Sequence, residues 1–146
     1  METNVYFVTI NTRLRFPYFQ SGELCRLLVD QMTFTSHLLN FSIDAYCILY
    51  DHVHLIISGI QQETNISNIM KSLKQNFSLH ANQLMEVSTM HSLKYFPTFV
   101  WHKSFYDIII NSSKTYEKAM QYTIYNYTHH GLPENWPYTS LQNPIS

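Results

Sequence analysis

The chain has 146 residues, 45% of them hydrophobic and 15% aromatic, enough to build one globular domain with a real core. Nine Lys and Arg against ten Asp and Glu leave a net charge of −1, which argues against tight, general binding to nucleic-acid backbones. Met1-Glu2-Thr3-Asn4 lacks the basic start of a signal peptide, no apolar run reaches membrane-span length, Cys25 and Cys47 are isolated thiols, and three Gly leave no Gly-rich phosphate loop.

The first element is a strand over 5–11, followed by a loop over 12–21 holding Arg13, Arg15 and Pro17. A helix over 23–39 follows Gly22 and carries Leu24, Leu27, Leu28, Gln31 and Met32 on one stripe. Residues 41–49 alternate Ile43, Ala45 and Cys47 against Asp44, Tyr46 and Ile48, a strand pattern. Tyr50-Asp51 make a tight link into a strand over 52–58. A second helix spans about 65–84, with Ile66, Ile69, Met70, Leu73, Phe77 and His80 on its apolar face and Lys71 and Lys74 opposite. Residues 85–98 read as irregular connection. A strand over 98–103 and a short one over 108–110 precede a single helix from about Asn111 to Gly131, capped by Ser112 or Ser113 and stopped by Gly131 with Pro133 beyond. Its packed face holds Tyr116, Ala119, Met120, Thr123, Ile124 and Tyr127. Two helices on one face of a largely antiparallel sheet make an α+β sandwich of ferredoxin-like type, with a core over about 4–132 and a tail over 133–146.

The run 48–58 places His52 and His54 two apart in a strand, so both imidazoles point to one face while Val53 and Leu55 point to the other. Two such imidazoles form either a bidentate metal seat that lacks a third ligand or a pair of hydrogen-bonded core histidines. On the last helix, Tyr122 and Asn126 are four apart and therefore one turn from each other on a shared face. With 11 Tyr in the chain, a helical Tyr taken alone is ordinarily a packing residue.

Taken together, the Asp51-His52-Val53-His54 strand, the stretch Trp101-His102-Lys103-Ser104-Phe105-Tyr106-Asp107 and the helix Tyr122-x3-Asn126-x4-Gly131 carry a more specific signal. In combination they resemble the single-tyrosine HUH transposases (the IS200-like transposases), and within them the branch of REP-associated tyrosine transposases. The tail Trp136-Pro137-Tyr138-Thr139-Ser140 is similar to a segment that follows the helix in that branch. The first strand and the basic turn of Arg13 and Arg15 also fit, so the likeness runs over roughly residues 4–140.

The resemblance implies a metal-dependent, single-stranded DNA endonuclease and transesterase acting on hairpins or palindromic repeats in DNA transposition. It implies Tyr122 as the nucleophile, joined to a DNA 5′ end as a phosphotyrosine while a 3′-OH is released. His52, His54 and Asn126 would hold one Mg²⁺ or Mn²⁺, with His130 the rival to Asn126 as third ligand. Arg13 and Arg15 match where such enzymes grip a hairpin; from the residues themselves, Lys71, Lys74 and Lys103 could track a DNA backbone, with a solvated helix face as the plainer reading of Lys71 and Lys74. Trp101, Phe105 and Tyr106 could stack on unpaired bases or pack in the core, and Asp51 could orient an imidazole or cap the turn. The partner is single-stranded DNA with hairpin or palindromic ends, with no membrane and no nucleotide cofactor. Relatives include both homodimers and monomers, and the setting implied is a prokaryotic cytoplasm, at the nucleoid.

Two departures stand out. Tyr127 occupies the position of the Pro that usually follows the Asn of the motif, and the helix is expected to run on unbroken for another turn. His129 stands where the family usually has a Lys. The alternatives are a catalytically idle hairpin-binding relative and a zinc protein that uses His52 and His54 without any nucleic acid.

Overall fold

The protein is described from a computed structural model covering residues 3–88 and 91–145. Met1, Glu2, Thr89, Met90 and Ser146, which belong to the expected start, the irregular connection and the tail, lie outside the described residues. Four strands, β1 (Val5–Asn11), β2 (Ser42–Ile48), β3 (His52–Ser58) and β4 (Tyr106–Ile110), form one sheet in the order β2-β3-β1-β4. Every neighbouring pair is antiparallel. Helices α1 (Gly22–Leu38) and α2 (Ile66–Val87) link the strands, giving the expected ferredoxin-like order. Ser21 caps α1 by accepting the Leu24 N–H, and Asn65 caps α2 by accepting that of Asn68.

The two faces of the sheet are covered by different helices. Val8 and Ile10 of β1 join Val53, Leu55 and Ile57 of β3 in the main core with Leu24, Leu28 and Met32 of α1 and Met70, Leu73 and Phe77 of α2. Phe19, Phe77, Phe99 and Trp101 pack as an aromatic group at one end of that core, with ring centroids 4.8–6.1 Å apart. The other face carries His52, His54 and Ile56. There Ala45, Ile56 and Ile110 form a smaller core with Tyr116, Ala119, Met120 and Ile124 of α4 (Ser113–Ile124). The last helix therefore lies over the face that holds the two histidines.

Several elements differ from the sequence reading, each for a local reason. A bulge between Ile43 and Ala45 shifts the alternation of β2. Ile43 joins Tyr46 and Ile48 opposite Ile57, Leu55 and Val53, while Ala45 and Cys47 turn toward the histidine face. The segment expected as a strand over 98–103 makes only one bridge, Thr12 to Trp101. The Asn82 side-chain amide takes both backbone groups of Phe99, at 2.6 and 3.2 Å, in place of a ladder partner. The short strand expected over 108–110 starts earlier, at Tyr106. His80 is exposed, and Ala81 fills the apolar stripe of α2 in its place. That helix continues to Val87, and a short turn, α3 (His91–Lys94), follows.

The expected unbroken helix is interrupted. Helix α4 ends at Ile124, Tyr125 has φ −102° and ψ 9°, and a separate turn α5 (Asn126–His129) follows. In a continuous helix the Ile124 carbonyl would accept the Thr128 N–H. Here it accepts the Thr139 hydroxyl at 2.8 Å, and Thr128 N–H goes to Tyr125 instead. The tail thus ends the helix without a proline. It also lines the free edge of β2: Ile48 N–H donates to Tyr138, Ser140 N–H to Tyr46, and Trp136 Nε1 to Ile48. An edge covered this way is closed to strand addition.

Candidate active site

His52 and His54 lie side by side on β3, 5% and 6% exposed, with ring centroids 4.9 Å apart. Antiparallel pairing sets Thr9 of β1 opposite His54 and Asn11 opposite His52. His54 Nδ1 is 2.8 Å from Thr9 Oγ1, and Phe7 stacks on its ring. His52 Nδ1 is 2.6 Å from Asp51 Oδ1, and Arg15 Nε donates to Asp51 Oδ2 at 3.0 Å. An ionised carboxylate only accepts, so Nδ1 of His52 carries the proton and Nε2 keeps its lone pair for a ligand.

Burial drives the His54 pKa down to about 3, with the charges of His52, His130 and Arg15 acting in the same direction. Burial also lowers His52, against the opposing pull of Asp51. For Asp51, burial raises the carboxyl but is outweighed by hydrogen bonds and charges from Arg15 and His52, and the net shift is downward. The pair is therefore neutral near pH 7, the state in which imidazole binds metal.

Tyr122 closes the site from the α4 side. Its ring centroid is 5.7 Å from that of His54 and 5.9 Å from that of Phe7, and His129 stacks on it from α5 at 6.3 Å. The side chain is 48% exposed, so a substrate can reach it. His130 approaches the other histidine, 5.1 Å from His52 between centroids. Asn126 lies on α5 between Tyr122 and His130 in the chain. It is 1% exposed, and its Oδ1 is buried without a hydrogen-bond partner.

An orphaned buried carbonyl oxygen costs about 1–3 kcal/mol and calls for an explanation. A cation is a chemically sensible one: with the two imidazoles the donor set would be two nitrogens and one oxygen, with room for phosphate oxygens. Among the described residues no three His, Cys, Asp or Glu side chains gather as a metal set. Asn11 Oδ1, opposite His52, is a second buried oxygen without a partner.

Arg15 sits on an unusual turn. Leu14 and Arg15 have φ of 55° and 58°, the left-handed region that non-glycine residues rarely adopt. The turn sends the Arg15 guanidinium to Asp51 and leaves Arg13 exposed. Lys71, Lys74 and Lys103 come together elsewhere, around a pocket shared with Phe105. Trp101 is buried in the aromatic core, whereas Tyr106 is 60% exposed. Thr9, Phe7 and Asn11 were invisible as site residues in the sequence. Their signal is only that they alternate on the strand that pairs with the His-Val-His strand.

The model of a family described as transposase IS200-like matches residues 4–126. A Haemophilus influenzae protein named as a REP-associated tyrosine transposase is 27% identical over 108 residues, which is 72% of this chain and 61% of that protein. The chain thus spans about three-fifths of the length of that relative. A solved REP-associated tyrosine transposase bound to a REP hairpin superimposes with a TM-score of 0.75 at 18% identity, over 100% of this chain and 84% of that one. A Deinococcus radiodurans R1 protein described as a transposase gives 0.55 at 17% identity, over 84% of this chain and 90% of its own.

Proposed function

Since this chain belongs to the IS200-like transposase family, we propose that it cuts and rejoins single-stranded DNA next to hairpin or palindromic repeats, with Tyr122 as nucleophile. The observation that carries the reading is the meeting of the exposed Tyr122 ring with Phe7 and with His54, one of a neutral histidine pair. The phenol oxygen attacks the phosphorus, the bond to the 3′ oxygen breaks, and the DNA 5′ phosphate stays on Tyr122 as a phosphodiester. The phenol proton passes to water, and the departing 3′ oxygen takes one from water. A second 3′-OH then reverses the step, with no oxidant and no nucleotide consumed.

His52, His54 and Asn126 are the residues that would hold a Mg²⁺ or Mn²⁺ ion. Such an ion, when bound, supplies Lewis-acid polarisation of the phosphate oxygens. Thr9 and Asp51 fix the two rings, and Phe7 packs against both His54 and Tyr122, which also touch each other, and so limits how far the nucleophile can swing. Arg15 has its guanidinium committed to Asp51, so it acts mainly by positioning, while Arg13 is free to meet a hairpin phosphate. The relative solved with a REP hairpin supports a hairpin as the partner class. Among the described residues, no helix is long and apolar enough to cross a membrane.

The test is strand cleavage of a hairpin with single-stranded flanks, labelled at either end, in Mn²⁺ or EDTA. Mn²⁺-dependent release of a free 3′-OH fragment, with the other fragment retained on protein, is expected for the wild type and not for Tyr122→Phe. Tight hairpin binding without any cleavage in Mn²⁺ or Mg²⁺ would instead mark an idle binding relative.

A further inference from the structure

We infer that the pocket between α2 and the segment entering β4 is a second DNA site, taking a backbone phosphate of the unpaired strand while a base lies on Phe105; this rests on the proposed DNA-cutting function. The pocket holds about 270 Å³, and three of its seven lining residues are Lys71, Lys74 and Lys103, with none acidic. The whole chain has nine Lys and Arg and a net charge of −1, so gathering three cations in one concavity is not an effect of general basicity. Lys71 and Lys74 are three apart on α2 and share a face, and Lys103 reaches the same place from a segment about thirty residues away.

Lys74 is the built part of the site. Its Nζ donates to the His102 carbonyl at 2.8 Å, which fixes the ammonium and leaves its other hydrogens for an anion. Burial lowers its pKa, the usual effect of drawing an ammonium away from water. An anion would relieve that arrangement. The apolar lining, Met70 and the half-buried Phe105, suits a base face better than a bare inorganic ion.

The pocket also connects to the nucleophile. Phe105 directly precedes Tyr106, the first residue of β4, and Tyr106 pairs with Thr9, the residue that holds His54. Tyr106 and Ile108 share the histidine face at 60% and 65% exposure, opposite Thr9 and Phe7, so an uncovered path leads from Tyr122 across the β4 edge to Phe105. Among the described residues, no further strand pairs with this edge of the sheet. A strand leaving the reacting phosphate can cross there and set its next phosphates among the lysines.

The experiment uses the full chain and a hairpin with a single-stranded flank, in which each flank phosphate is replaced in turn by a neutral methylphosphonate. Wild type should lose affinity at one or two flank positions, and those positions should become silent in Lys71→Gln/Lys103→Gln. Both residues are exposed, so the fold is kept, which circular dichroism checks. The slope of log affinity against log salt should fall by about 0.7 for each phosphate that the variant no longer neutralises. Phe105→Leu should weaken binding to the flanked hairpin and leave a blunt hairpin unaffected.

An unchanged methylphosphonate pattern and salt slope in the lysine variant would overturn the inference. So would an equal loss on the blunt hairpin, which would mean that the lysines grip the stem. The covalent bond between Tyr122 and DNA separates the two levels. If it forms in wild type and the lysine variant shows no altered pattern, only the pocket inference falls. If it never forms while the pattern behaves as expected, the pocket stands as a binding site and the cutting function falls.

Discussion

Replacing Asn126 by Leu should make the metal-free protein more stable while abolishing its response to metal. The Asn126 side chain is 1% exposed and its Oδ1 has no partner, so the folded state carries the desolvation cost of an amide oxygen that water satisfied in the unfolded chain. Leu has the same number of side-chain heavy atoms and branches at the same carbon, which removes that cost without a cavity. The expected gain in EDTA is about 1–3 kcal/mol, or about 2–4 °C in Tm for each kcal/mol in a chain of this size. In wild type, free Mn²⁺ at a hundred times its Kd should add about 2.7 kcal/mol by linkage. The Leu variant should gain little, because it lacks the oxygen, whereas Asn126→Asp should keep the response. Thermal unfolding in EDTA and in Mn²⁺ reads all three. A Leu variant that is less stable in EDTA yet still stabilised by Mn²⁺ would refute the assignment and make Asn126 a structural amide.

Neighbouring groups should respond in their own ways. His54 has a folded pKa of about 3 against about 6.5 unfolded, so between those values the unfolded chain binds the extra proton. Stability in EDTA should be fullest above about pH 6.5 and fall by up to about 1.4 kcal/mol per pH unit below it; His54→Gln should flatten that slope, and equal slopes would contradict the burial argument. Asp51→Ala frees His52 Nδ1 and should weaken Mn²⁺ binding by roughly 10- to 100-fold in calorimetry; unchanged affinity would show that His52 needs no orienting carboxylate. Trp136→Phe leaves the buried Ile48 carbonyl without its indole donor and should cost about 1–3 kcal/mol in urea unfolding. A neutral result there would mean that the tail does not hold β2.

Hydrophobic patterning makes the strands and both long helices readable: period two in β1, which buries one face, a continuous run in β3, which is buried on both, and a 3.6-residue stripe in α1 and α2. The His52 and His54 face follows from the same alternation, and Ser112 and Asn65 behave as ordinary caps. Legibility fails where a distant segment decides the local structure. Thr139 ends α4 by taking the Ile124 carbonyl from fifteen residues away, and Asn82 takes the groups that would have made 98–103 a strand. The bulge in β2 and the meeting of Lys71 and Lys74 with Lys103 likewise have no signal within one window. His80 fits the apolar stripe by spacing, yet its ring is exposed and its Nδ1 turns back to the Asn76 carbonyl at 2.7 Å.

The break between Tyr122 and Asn126 bears on mechanism. A single rigid helix would have locked the nucleophile to the third candidate ligand. Instead the helix stops at Ile124, whose carbonyl goes to Thr139; Tyr122 of α4 packs on Phe7 and His54 and also stacks with His129 of α5, while Tyr127 of α5 joins the main core. The proposed nucleophile is thus joined to α5 by ring stacking as well as by the turn at Tyr125.

The proposed cutting function turns on whether Tyr122 becomes bonded to DNA. The decisive experiment incubates the protein with a flanked hairpin and Mn²⁺, digests with trypsin and nuclease, and sequences the modified peptide by mass spectrometry. A nucleotide 5′-phosphate is expected on Tyr122 and on no other residue of the peptide that holds Tyr122, Tyr125 and Tyr127. The adduct on one of the other tyrosines, or on a histidine, would contradict the assignment.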